Sequence, residues 1–174
     1  MIFLFPTELE AQPFRSLCPH AQVVICGVGA AECAATTAAI ITEHKLRGES
    51  LELVLAGIAG SYSLKDVAIC DVVEVVSEYI AALPPRFAVH YSLEPQTFLR
   101  SVSSNTVNKQ GESPTTAQIE NMEGSAFMAV CAREGVKHLQ IRAVSNGVGD
   151  NFVNWLIDEA CEALACELSK LLKC

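Results

Sequence analysis

The stretch IENMEGSAFMAVC, residues 119–131, places Glu120 and Glu123 one turn apart beside Met122, Ala126, Ala129 and Val130, which recur at the spacing of a buried helix face. A carboxylate carried into a core is costly unless something binds it. The positive amino end of a helix accounts for Glu120. It accounts less well for Glu123, because Met122, Ala126 and Phe127 crowd its side. Three more polar groups could do chemistry: Glu10, and Arg142 with Asn146 in IRAVSN. Glu10 stands three residues after Thr7, so it suits a capping box; it could equally serve as a proton acceptor. Asn146 precedes a glycine and by itself also reads as a turn residue. His20, His44, His90 and His138 fit no nucleophile triad and read as surface or packing residues.

The eight cysteines include no CxxC and no zinc-like spacing with histidine, so neither a metal nor any other cofactor is expected. Most lie in apolar runs, which suits reduced thiols in a cytoplasmic protein. MIFLFP is too short and lacks a positive leader, so it does not read as a signal peptide. Residues 21–41 are the most apolar stretch but carry Glu32 and two glycines, and do not read as a membrane span. The net charge is −8 and no Lys/Arg run occurs, so neither nucleic acid nor a membrane surface is an expected partner. Hydrophobic residues reach 51% against 18% charged, which points to a packed core and to a homodimer or higher homo-oligomer with a partly apolar interface.

The elements that must carry these groups follow from patterning. Strands are expected at Ile2–Phe5, Ala21–Cys26, Leu51–Ala56, Val67–Val76 and Val136–Ala143. Helices are expected from Thr7 to Leu17, from Ala30 to Lys45 after Gly27-Val28-Gly29, from Asn121 to Glu134 and from Asn151 to Leu172. Residues 81–118 hold four of the seven prolines and read as loop, with one short helix near Pro95–Val102. Alternating strands and helices over 174 residues give one α/β domain: three layers, with a mixed central sheet flanked by helices.

In an open α/β sheet ligands bind at the carboxyl ends of strands. Gly27–Gly29, Gly57–Ser61 and Ser145–Asp150 are such ends, as is the segment after Phe5. Gly27-Val28-Gly29 reads either as a tight turn or as amides facing an anion or a ribose. Gly57-Ile58-Ala59-Gly60 reads as a bend that closes its strand.

Taken together, Gly27-Val28-Gly29 opening an Ala-rich helix, GIAG before LKDVAICDVVEV, ENMEG and IRAVSN resemble the nucleoside phosphorylase/nucleosidase superfamily, in matching order along nearly the whole chain. Within it, GIAG, SSNTVN, ENMEG and the Asn of IRAVSN are most similar to the futalosine hydrolases, then to the methylthioadenosine/S-adenosylhomocysteine nucleosidases. The resemblance implies cleavage of a ribosyl C–N bond in a purine nucleoside, with a place in menaquinone biosynthesis. It implies that Glu123 accepts hydrogen bonds from ribose hydroxyls, that Met122 packs on the sugar and that Glu10 activates water. It further implies that Gly29, Ile58, Ala59, Gly60 and Arg142 line the substrate site, with Arg142 near the water or anion. Asn146 would meet N7 of the departing base. A carboxamide accepts from N7–H and donates to O6, so Asn146 suits a 6-oxopurine where Asp would suit adenine.

Compared with that pattern, a hairpin between Glu10 and Gly27 is missing and residues 81–118 are trimmed where an aromatic lid is usual. Phe87, Phe98, Phe152 and Trp155 are the aromatic residues that could cover the base. The arginines are scattered, so a phosphate site is poorly supplied and water is the expected nucleophile. The alternatives are a methylthioadenosine/S-adenosylhomocysteine nucleosidase, a purine nucleoside phosphorylase, and a relative that binds a nucleoside without turning it over.

Overall fold

The computed structural model describes residues 1–81, 83–111 and 117–172. The chain opens with β1 (Ile2–Phe5), α1 (Glu8–Leu17), β2 (Gln22–Ile25), α2 (Ala30–Arg47) and β3 (Glu52–Ser61). It continues with β4 (Val72–Ile80), β5 (His90–Ser92), β6 (Arg100–Thr106), β7 (Ile119–Asn121), α3 (Gly124–Glu134), β8 (Lys137–Gly147) and α4 (Ile157–Leu172).

Both faces of the sheet are buried, and the strand alternation shows it. In β3, Leu53 and Leu55 join a core beneath α2 and α3, while Val54 and Ala56 join a second core beneath α1 and α4. In β1, Leu4 faces the first core, and Phe3 and Phe5 face the second. Phe14 of α1 packs on both rings, with centroids 4.6 and 5.9 Å away. The buried positions of α4, from Ala160 and Leu164 to Leu168, repeat at helical spacing and seal that side. The result is the expected three-layer α/β domain with a mixed sheet.

The sheet is not open along its whole width. β3 pairs in parallel with β1 and β8, and β1 with β2. β8 also pairs antiparallel with β4, β4 runs parallel to β6, and β6 to β7. β7 then returns antiparallel to the end of β3 through Gly60↔Glu120 and Ser61↔Ile119. Five strands, β3, β8, β4, β6 and β7, thus close into a ring.

Several boundaries differ from the sequence reading. GIAG does not close its strand: β3 runs on to Ser61, with a register shift between Ala59 and Gly60, because β8 pairs with it as far as Gly147, so Ser145 and Asn146 also lie on strand rather than loop. The strand expected at Val67–Val76 begins at Val72. Ser63–Asp71 is folded by its own turn bonds, with Asp66 and Val67 N–H donating to Ser63 O and Ala68 N–H to the Asp71 carboxylate. The short helix expected near Pro95–Val102 is absent; Arg100–Thr106 is drawn out as β6 between β4 and β7. The helix expected from Asn121 starts at Gly124, because Ile119–Asn121 is claimed by β6 and the end of β3. Phe152–Asn154 is a single 3-10 turn, and α4 starts only at Ile157. The loop expected over 81–118 includes residues 82 and 112–116, which lie outside the described residues, as does Cys174.

Leu164→Ala should lower the unfolding free energy by about 2–5 kcal/mol, the usual cost of truncating a fully buried leucine, read as a lower denaturant midpoint with an unchanged slope.

Candidate active site

A cleft of about 360 Å³ opens where β1, β3, β7 and β8 end, and Glu10, Ile58, Ala59, Gly60, Met122, Glu123 and Asn146 all face it. Segments as far apart as the end of β1 and the end of β8 thus wall one cavity, and Glu123 and Asn146 share it.

Each polar group is held by a neighbour that the fold brings to it. Thr7 caps α1, accepting from the Glu10 N–H at 3.3 Å. Its hydroxyl also donates to Glu10 Oε2 at 2.7 Å, and Ile58 N–H donates to Glu10 Oε1 at 3.0 Å. The Glu10 carboxylate is therefore turned onto β3 instead of back onto the Thr7 amide, and the reciprocal half of a capping box does not form. A Cβ at Gly57 would stand 2.7 Å from Arg142 Nη1 and 2.9 Å from Glu10 Oε1, so glycine is what leaves room for both groups beside β3. Burial is the largest influence on the Glu10 carboxyl and holds its pKa above the ordinary value. The Thr7 and Ile58 bonds and the Arg142 charge oppose it, and the Glu123 charge adds to it.

Glu123 sits at the amino end of α3 and is 3% exposed. Its Oε1 accepts from Gly29 N–H at 2.9 Å, and its Oε2 accepts from Arg142 Nη2 at 3.2 Å. The glycine turn Gly27–Gly29 therefore does present an amide to an anion, and that anion is the side chain of Glu123. Gly29 and Arg142, which the resemblance would put in the substrate site, both bond Glu123 and are not among the residues that line the cleft. Arg142 is fully buried, and its Nε has no partner among the described residues. Asn146 accepts from Ser145 Oγ at 2.8 Å and donates to the Gly147 carbonyl at 2.9 Å. That leaves one acceptor position and one N–H on its carboxamide.

Glu120 is not at a helix terminus. It lies on β7, lines the cleft, and accepts from Tyr62 Oη at 2.9 Å and Gly111 N–H at 3.0 Å. Phe152 and Trp155 line the cleft mouth, their centroids 5.1 Å apart, whereas Phe87 and Phe98 face away from it. Two residues escaped the sequence reading. Asn121 Oδ1 accepts from Glu123 N–H at 2.9 Å, Gly124 N–H at 2.6 Å and Arg142 Nη2 at 3.0 Å. Behind it lies Glu78, wholly buried, its carboxyl pushed by burial from 4.5 up to about 7. The signals were there: an amide inside ENMEG, and an acid within the apolar run of β4.

No family model matches the chain. Two futalosine hydrolases are similar in sequence. That of Thermus thermophilus is 45% identical over 58 residues, which is 32% of this chain and 25% of that protein. That of Streptomyces coelicolor is 28% identical over 177 residues, which is 83% of this chain and 75% of the other. The crystal structure of a 5′-methylthioadenosine/S-adenosylhomocysteine nucleosidase from Helicobacter pylori, with butyl-thio-DADMe-Immucillin-A, superposes with a TM-score of 0.83 at 15% identity, over 99% of this chain and 97% of that one. The resemblance carried by GIAG, ENMEG and IRAVSN is thus met by both comparisons: relatives named futalosine hydrolase in sequence, and the nucleosidase fold in three dimensions.

The raised carboxyls set a pH dependence. An acid whose pKa is higher in the folded chain stabilises it in the protonated form, so the contribution of Glu78 is complete below about 4.5 and is lost as pH rises through about 7. Urea unfolding of wild type and Glu78→Gln at about pH 5 and about pH 8 should show wild type losing roughly 2–3 kcal/mol relative to the variant over that interval.

Proposed function

We propose that this chain is a purine nucleoside N-ribosyl hydrolase, futalosine-hydrolase-like, that releases a 6-oxopurine base. The observation that carries the reading is the buried Glu123 carboxylate, held from behind by Gly29 N–H and Arg142 and turned to the same cleft as Glu10 and Asn146.

The chemistry follows from that arrangement. Glu123 has lone pairs left for ribose hydroxyls, which offsets the cost of its burial. When the C1′–N9 bond lengthens the ribosyl ring becomes oxocarbenium-like, and a fixed negative charge beneath it stabilises that state more than the ground state. Glu10 takes a proton from water as the water oxygen bonds to C1′. Burial raises its pKa, which makes it a stronger base than an ordinary carboxylate. The purine leaves with the bond electrons and takes a proton at N7 from solvent, and Glu10 then returns to solvent the proton it took, so that water is added across the C1′–N9 bond. The free acceptor of Asn146 takes that N7–H, and its free N–H donates to O6. Met122 and Ile58 supply apolar wall, with Phe152 and Trp155 at the mouth in place of the trimmed lid. Arg142 is committed to Glu123 and Asn121, which supports water rather than phosphate as the nucleophile. The reading includes a homo-oligomer in the cytoplasm. Leu9, Phe152 and Val153, exposed beside the cleft, support the first, and the free cysteines support the second. No helix among the described residues is long and apolar enough to cross a membrane.

Free base should appear from futalosine, and more slowly from inosine, at the same rate with and without phosphate; strict phosphate dependence would sink the hydrolase reading. Glu10→Gln should lower kcat by about 10²–10⁴, the span of a lost general base, with ligand binding retained. Asn146→Asp should move the ratio of kcat/KM for 6-oxopurine over 6-aminopurine nucleosides toward adenine by roughly tenfold to hundredfold. An unchanged ratio would remove the base-reading role.

A further inference from the structure

Glu78 lies behind the cleft, outside its wall, and no step above uses it. Packing alone would be served by an apolar residue in a strand this buried, and a carboxylate there carries a desolvation cost. What it does is collect donors. Thr106 Oγ1 donates to its Oε1 at 2.8 Å, Asn121 Nδ2 lies 3.2 and 3.1 Å from its two oxygens, and Gln140 Nε2 donates to Oε2 at 3.1 Å. Gln140 turns its amide this way although its own Oε1 is left without a partner, so the cluster is built around an acceptor at position 78.

Two of those donors pass the hold on to the first turn of α3. Thr106 Oγ1 accepts from Ser125 N–H at 2.7 Å. Asn121 Oδ1 accepts from the amides of Glu123 and Gly124 and from Arg142. A Cβ on Gly124 would collide with Glu78 Oε2 and stand 2.6 Å from Gln140 Nε2. The glycine of ENMEG thus exists to let the acid rest against the amino end of α3, where negative charge is favoured.

We propose that Glu78 is a positioning residue: by holding Asn121 and Thr106 it fixes the first turn of α3 and the Arg142 guanidinium, and so aims the Glu123 carboxylate into the cleft. The activity readout rests on the nucleosidase reading above; the structural readout does not.

The test compares Glu78→Leu, Glu78→Asp and Glu78→Gln in the full chain, with base release from inosine or futalosine as the assay. Glu78→Leu should lower kcat by about tenfold to hundredfold with KM changed less than about threefold, the mark of a displaced transition-state contact. Gln keeps an acceptor for Asn121 and can donate to the orphan Gln140 Oε1, so Glu78→Gln should restore kcat to near the wild-type value. Leu164→Ala, a destabilised control remote from the cleft wall, should keep wild-type kcat while folded. Should Glu78→Leu not fold, Glu78→Asp replaces it, since a carboxylate one methylene shorter withdraws from Asn121. A folded Leu or Asp variant with wild-type kcat overturns the proposal, and so does a Gln variant as impaired as the Leu variant. A crystal structure of Glu78→Asp should show Asn121, Arg142 and Glu123 displaced; unmoved side chains overturn the proposal whatever the activity. If wild type releases no base at all, the hydrolase reading falls alone and that structure decides the role of Glu78.

Discussion

A carboxylate with almost no access to water has to be bound from within, and Glu123 is bound twice, by a backbone amide and by a guanidinium. Much of the site is the apparatus for this. The turn after β2 exists where it does because its amide must reach Glu123. The parallel pairing of β3 with β8 sets Arg142 opposite Gly57, the one residue type that leaves room for both the guanidinium and Glu10. Removing either partner of a buried ion pair strands the other, at a cost of about 3–5 kcal/mol, so Arg142 and Glu123 stabilise the fold only as a pair.

Charge is unequally distributed around this pair. Glu10 and Glu123 interact with the same buried arginine, and Glu78 feels its charge as well. The Arg142 guanidinium thus lies within electrostatic reach of all three acids. Glu123 has the guanidinium within bonding distance; Glu78 has only neutral donors, and its carboxyl is pushed up to about 7. Burial is what holds a proton on Glu78 toward neutral pH, and the Arg142 charge and the neutral donors oppose it.

The groups facing the cleft were legible in the sequence because each belongs to a short local motif. Thr7 to Glu10 is a cap, ENMEG an acid before a helix, and IRAVSN a strand with polar residues at its end. The helices were legible for the same reason, and α2 and α3 end within two residues of where they were expected. What was hidden depends on pairing between distant segments. GIAG looks like a bend until β8 lies beside it. Ile119–Asn121 looks helical until β6 and β3 claim it. Glu78 and Asn121 are 43 residues apart and meet only because β4, β6 and β7 share one register. Local patterning carries no trace of that meeting, nor of the ion pair between Arg142 and Glu123.

The ring of five strands fixes more than the shape of the cleft floor. Each of its members is hydrogen-bonded to two others, so only a local irregularity, such as those between Ala59 and Gly60 and between Val75 and Ser77, is taken up within a strand. Drift in chain length is thereby expelled to the connections. A lineage can shorten the span after β4, or lose a hairpin ahead of α2, without moving a single floor side chain. Such trimming reshapes the entrance and leaves the ring beneath it in place.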